Sequence, residues 1–191
     1  MKRIGSMART LAIGLSAAAL LAMPCVSLQA QDGGGQAQSA AAMPSPPATA
    51  SVEVAGGTID VRYNTPHMRG RKIMGGLVPY GEVWRTGANP ATTLITSVPL
   101  KFSTLLVPAG RHTIYTLPSA GTWQLIINNQ TGQWGTVYTQ SMDLGRTPMM
   151  KKTLSAPQEV MSISFENTKP NSTEMHVRWE TTDVWVPVTK P

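Results

Sequence analysis

From Ser51 onward, apolar residues recur at every second position. In "TIDVRY", Ile59, Val61 and Tyr63 share one side while Asp60 and Arg62 take the other. "MSISF" sets Met161, Ile163 and Phe165 against Ser162 and Ser164, and "EMHVRWE" sets Met175, Val177 and Trp179 against His176, Arg178 and Glu180. "VWVPV" aligns Val184, Val186 and Val188. Successive side chains of a strand point to opposite faces, so this is the pattern of antiparallel sheets with one buried and one wet face. "TWQLIIN" is apolar on both faces and is predicted as a central strand. Turn-forming clusters ("VAGG", "VPAG", "LPSAG", "NNQTG", "NTKPNS") separate the runs at about the 8–12-residue spacing of sandwiches and barrels. "LLVPAGRHTIYTL" reads as one hairpin, Pro108 presetting the first turn dihedral and Gly110 taking a positive φ. No stretch after Ser51 sustains helical periodicity beyond about two turns. The fold class is therefore predicted as all-β, an antiparallel two-sheet β-sandwich (jelly-roll or Ig-like) of about eight or nine strands.

Asn64 to Pro90 breaks this pattern. It is rich in glycine and carries three prolines, yet it also holds Ile73, Leu77, Val78, Tyr80, Val83 and Trp84. A connection this long inside a compact domain is either functional or disordered, and the apolar content argues for order. The prediction is one long ordered loop with a short helical turn near "GLVPYGEV".

The first thirty residues read differently again. Lys2, Arg3 and Arg9 precede the apolar run "LAIGLSAAALLAM", and "SLQAQ" offers Ala30 for cleavage, so residues 1–30 are expected to be a secretory signal. Residues 31–50, built of Gly, Gln, Ala, Ser and Pro, are expected to be a flexible linker, with the domain at 51–191. The single cysteine, Cys25, follows a proline, a poor setting for lipoprotein processing, so it leaves with the signal. The mature chain then has no thiol for disulfides, zinc-thiolate sites or cysteine nucleophiles. Its expected location is secreted or periplasmic, with no membrane span. Of the 16 basic residues, three lie in the signal, leaving 13 against 10 acidic ones. That balance is too mild for nucleic-acid binding.

Catalytic motifs are missing: there is no GxSxG, Walker loop, HExxH or GxGxxG before a helix. His67, His112 and His176 have no ligand-type spacing, and His176 falls on the polar side of its strand, so no metal and no cofactor are expected. Glu82 and Asp143 are the two carboxylates away from an obvious solvent face. The most informative stretch is "GEVWRTGANPATTL". Gly87 lets the chain turn, Trp84 anchors it, and Arg85 brings five donors among apolar neighbours. Asn89, Thr92 and Thr93 can complete a hydrogen-bond network around that guanidinium. Either the network is self-satisfied and fixes the loop, or Arg85 with Arg71 keeps donors for an anionic ligand; self-satisfaction is the expectation. Trp134 opens "QWGTVY" after a turn, where an aromatic ring can be presented to a sugar or peptide, with Tyr138 close behind.

"YNTPHMRGRKIMGGLVPYGEVWRTGANPATTL", followed by "VPAGRHTIYTLP", "WQLIINN", "QWGTVY" and "VRWETTDVWVPV", resembles the secreted bacterial family called domain of unknown function 2911. The resemblance runs from about Ala48 to Val188. Its signature falls on Tyr63, Arg71, Trp84, Arg85, Gly87, Asn89 and Thr92, and continues through Pro108, Gly110, Trp123, Asn128, Trp134, Tyr138 and Asp143. The position of His112 is usually aromatic in that family, and His67 lies at a variable place, so the resemblance implies no histidine chemistry. It implies a candidate ligand site at Arg71, Arg85, Asn89, Thr92, Trp134, Tyr138 and Asp143. Tyr63, Trp84, Gly87, Pro108, Gly110, Trp123, Asn128 and Trp179 take structural roles. The function expected is a non-catalytic binding or structural module for a polar or anionic small molecule or envelope component. The alternative is an envelope hydrolase with Asp143 or Glu82 as acid/base and Arg85 stabilising developing charge.

Overall fold

The computed structural model describes residues 44–191; the expected signal and most of the expected linker lie outside the described residues. Nine strands follow: β1 (Pro47–Val54), β2 (Gly57–Asn64), β3 (Thr92–Thr96), β4 (Leu100–Phe102), β5 (Leu105–Val107), β6 (Gly110–Leu117), β7 (Trp123–Asn128), β8 (Asp143–Lys169) and β9 (Ser172–Thr189). A short 3₁₀ turn, Gln140–Met142, leads into β8. The order is β1-β2-β3-β6-β7-β8-β9-β4-β5, and every strand pairing is antiparallel. The class is all-β, as the alternation predicts. β1 begins inside the stretch read as linker: "PATA" lacks large side chains but still pairs with β2, Pro47 opposite Asn64. Ala55 and Gly56, at φ 57 and 78, turn β1 into β2, and two left-handed residues match the twist of the flanking strands.

The pairing is one continuous, open run, where the alternation predicts two separate sheets. The reason is β8. Its first residues pair with β7, from Asn128 opposite Asp143 to Trp123 opposite Met149. From Met150, which faces Trp185, it pairs with β9. The β8–β9 register shifts between Thr153 and Gln158 and again before Ser162, and β9 carries Glu180 at φ 54. These irregularities bend the hairpin sharply. Seven residues of straight strand would separate His176 and Asp183 by about 23 Å, yet their side chains are hydrogen-bonded at 2.8 Å. The bend brings β8 over β2, where the Tyr63 hydroxyl donates to the Ile163 carbonyl (3.3 Å) and accepts from its amide (3.1 Å). Ile59, Val61, Leu94 and Leu125 thereby share one buried cluster with Met161, Val177, Trp179 and Val186.

The hairpin expected at "LLVPAGRHTIYTL" does not form. β5 pairs with β4, while β6 lies between β3 and β7. Pro108 and Ala109 are a crossing connection, though Gly110 does take a positive φ of 140°. "TWQLIIN" is an interior strand, between β6 and β8.

The long loop between β2 and β3 is ordered but holds no helical turn at "GLVPYGEV". Gly75 and Gly81 sit at φ 73 and 82, conformations that a right-handed helix does not contain. Tight turns instead bring the Gly76 and Val78 amides to the Ile73 carbonyl (3.0 and 2.9 Å). Ile73, Met74 and Val78 are buried. The bent hairpin holds the loop: the Glu180 carboxylate accepts the amides of Ile73 (3.1 Å) and Met74 (3.2 Å). The Glu159 carbonyl accepts the Met68 amide (2.8 Å) and the Trp179 indole N–H (3.2 Å).

Candidate functional site

Thr86 is fully buried at φ 53, an uncommon conformation for a β-branched residue. Its surroundings over-determine it. The Thr86 hydroxyl donates to the Thr116 hydroxyl (3.1 Å) and the Trp84 carbonyl (3.3 Å), and the Thr92 hydroxyl donates to the Thr86 carbonyl (2.9 Å). The Trp84 and Thr116 main chains exchange two further bonds, 2.8 and 2.9 Å. Asn89 is also left-handed, at φ 59. Gly87 is not: it is needed for close approach, since a Cβ there would meet Thr92 Oγ1 at 3.0 Å and the Asn64 carbonyl at 3.1 Å. The threonines thus fix the loop, and Thr92 faces this internal network.

Arg85 stands outside it. The expected network around its guanidinium does not form: among the described residues Arg85 Nε is buried with no hydrogen-bond partner. Burial lowers the guanidinium pKa from its ordinary value, although arginine stays charged. The threonine hydroxyls point their protons at backbone carbonyls and at one another, and none of them accepts from Arg85 Nε. Gly135 shapes the arginine stem: a Cβ there would fall on Arg85 Cδ and come within 2.6 Å of the Asn89 carbonyl oxygen. The Gly135 amide donates to that same carbonyl (3.1 Å).

Arg85 lines a cleft of about 320 Å³ together with Arg71 and Asn89, and with Pro66, Leu77, Val78, Trp84 and Trp179. Arg71 is exposed but pinned, Nε donating to the Met68 carbonyl (3.0 Å) and Nη2 to the His67 carbonyl (2.7 Å). Trp84 stacks on Trp179 with ring centres 5.9 Å apart and meets Trp123 edge-on at 6.3 Å. Both partners of Trp84 are buried, so the indole triad is a rigid part of the core under the cleft. Ser45 closes one side, its carbonyl accepting from Asn64 (2.8 Å) and Asn89 (3.4 Å).

The other predicted ligand residues are not among those lining this cleft. Trp134 is more than half exposed; the turn it occupies bridges to Pro90, beside the Asn89 end of the loop. Tyr138 and Asp143 form a cluster with Arg146 and Asn128. Asp143 Oδ2 accepts the Tyr138 hydroxyl (2.7 Å) and two Arg146 N–H groups (3.0 and 3.1 Å), and Oδ1 accepts the Asn128 amide (2.9 Å). Burial, reinforced by the Asp143 carboxylate, pushes the Tyr138 phenol up to about 12. Asp143 is therefore tied to a cation of its own, and Glu82 is exposed.

Two of the three histidines are buried. His112 is buried, one ring nitrogen on the Pro108 carbonyl (3.0 Å). His176, expected on a wet face, is also buried. Asp183 bonds its Nδ1, Glu174 lies 3.4 Å from Nε2, and the Trp185 ring stacks on it at 5.3 Å. Arg178 completes the cluster, bonding Glu166 through both Nη atoms and Asp183 through Nε (2.8 Å). The Arg178 bonds hold the Glu166 carboxyl down at about 2. Burial works against ionising Asp183, but bonds from His176 and Arg178 outweigh it and lower its pKa. Sequence reasoning missed Asp183, fully buried on the inside of the bend, because the alternation carries no sign of a corner. Among the described residues no group of three or more histidine, cysteine or carboxylate side chains is placed to hold a metal, and no helix is long and apolar enough to cross a membrane.

The family model described as a protein of unknown function (DUF2911) matches residues 45–188. The chain belongs to this family. No curated protein and no solved structure matches it. The match takes in the whole cleft of this DUF2911 domain, from Ser45 to Trp179.

Proposed function

We propose that this DUF2911 domain is a non-catalytic binding module, exported from the cell, that holds a polar or anionic ligand in the cleft between Arg85 and Arg71. One observation carries the reading. Arg85 Nε is buried on a strained, tightly braced loop and meets no acceptor. A buried donor without a partner costs about 1–3 kcal/mol, and strain held at a rigid loop is characteristic of ligand clamps. A ligand carrying acceptor atoms would remove that cost. The acidic residues weighed for catalysis support this choice over hydrolysis, since Asp143 is bonded to Arg146 and Glu82 is exposed. The fold-back of β8–β9 over β2 is read as the closing of a β-sandwich around the shared core.

The test is a thermal-shift screen of the purified protein against small anions and neutral sugars, run in parallel on Arg85→Met. A ligand present at 100 times its Kd stabilises by about 2.7 kcal/mol, a shift of several degrees for a domain of this size. The reading predicts anions that raise Tm in the parent and not in the variant. Hits that shift both proteins equally place the ligand elsewhere and defeat it.

A further inference from the structure

The charge and donor inventory of the cleft narrows what the ligand is; this step rests on the binding reading above. Among the described residues, the charged side chains on its wall are Arg71 and Arg85, and no carboxylate lines it. Arg71 donates to two backbone carbonyls, and among the described residues no acid is hydrogen-bonded to it. The polar side chains of the wall are also donor-heavy. Among the described residues the Arg85 Nε–H has no protein acceptor, Arg71 keeps N–H groups beyond the two engaged, and the Asn89 amide spends one long bond on Ser45.

A neutral sugar fits this wall poorly, because each hydroxyl brings a donor that needs an acceptor. A lone carboxylate offers two acceptors and one charge against two guanidinium groups. A phosphoryl group brings a charge near −2 above pH 6 and three acceptor oxygens, and it matches the planar guanidinium fork. The cleft is also larger than an inorganic anion requires, at the small end of pockets that hold organic ligands. Apart from Ser45, the remaining side chains of its wall are apolar, with Trp84, Leu77 and Pro66 lining the same space. We propose that the ligand is an organic phosphate monoester, its phosphoryl group held by Arg85 and Arg71 and its carbon body seated against Trp84 and Leu77.

Phenyl phosphate is the probe, titrated calorimetrically into the purified protein at pH 7.5 and low salt. Inorganic phosphate, benzoate, phthalate and phenyl glucoside are the comparisons. The expected result is phenyl phosphate binding at least tenfold tighter than any comparison, and at least tenfold loss in Arg85→Met. Its affinity should also fall as pH drops through about 6, where the second phosphate proton returns. Cosedimentation with phosphatidic acid vesicles, against phosphatidylcholine alone, separates a lipid-borne phosphate from a soluble one, and Arg85-dependent binding in either arm supports the proposal. Phthalate binding more tightly than phenyl phosphate, and lost in Arg85→Met, overturns the phosphate assignment while the cleft remains a binding site. Phenyl phosphate binding that is unchanged in Arg85→Met overturns both. Absence of binding by every probe overturns the phosphate assignment, and the anion screen then decides the binding reading alone.

Discussion

Replacing Arg85 by methionine separates a loop-fixing arginine from a ligand-facing one more sharply than truncation does. Methionine keeps the stem that packs on Gly135 and places a methyl group where Nε lies buried without a partner. If the guanidinium does nothing for the empty fold, the variant loses little packing and removes a cost of about 1–3 kcal/mol. Arg85→Met is therefore expected to unfold at higher urea than the parent, with ΔG raised by about 1–2 kcal/mol. Arg85→Ala gives up two methylenes at ~0.8 kcal/mol each, which offsets the same relief, so it should lie within about 1 kcal/mol of the parent. A guanidinium at the centre of a buried ionic network behaves otherwise, costing about 3–5 kcal/mol when removed. The assay is equilibrium urea denaturation of all three proteins without ligand, followed by tryptophan fluorescence, since Trp84 and its stacked partner Trp179 line the site. A loss of 3 kcal/mol or more in Arg85→Met would refute the reasoning and return Arg85 to a structural role.

Three other perturbations test the frame around the site. Gly135→Ala pushes a methyl into Arg85 Cδ and the Asn89 carbonyl; overpacking of this kind costs about 1–3 kcal/mol, and urea denaturation should show part of it relieved in an Arg85→Ala background. Glu166 falls from 4.5 to about 2 on folding, and Asp183 is also lowered. Depressed carboxyl pKa values give stability that is present above the unfolded value and lost as pH falls through the folded one, so the urea midpoint should drop between pH 5 and pH 2. Arg178→Met should flatten that drop, whereas parallel curves would deny the cluster its part in acid sensitivity. The proposed export predicts a native protein that begins near Gln31 and carries no lipid, and intact-mass measurement of native material showing a lipidated Cys25 would contradict this.

What the sequence discloses and what it conceals follow from the range of the interactions. Alternation is local, so the inward side of β2, β8 and β9 is readable from Ile59 and Val61, Met161 and Ile163, and Met175 and Val177. Pairing partners are not local. "VPAG" looks like a hairpin turn, but β5 goes to β4 because Leu100 and Phe102 complete the far end of the sheet against β9. The bend in β9 is the least legible feature, since Glu180 takes a left-handed conformation without a glycine to announce it. His176 consequently reads as solvated, although Asp183 returns seven residues later to meet it.

The same distinction explains the site. A run of Trp, Arg, Thr and Asn announces polar groups that need partners, and composition suggests they serve one another. Whether they do depends on directions that sequence spacing does not encode. Thr86 and Thr92 turn inward and close on backbone carbonyls and on Thr116. Held in those directions, neither hydroxyl meets Nε of the arginine between Trp84 and Thr86. Gly135, fifty residues further on, then admits the arginine stem while supplying no side chain to bond its head. The unpaired donor is thus a product of two distant segments: one that aims its hydroxyls inward, away from Nε, and one whose glycine makes room without making a bond.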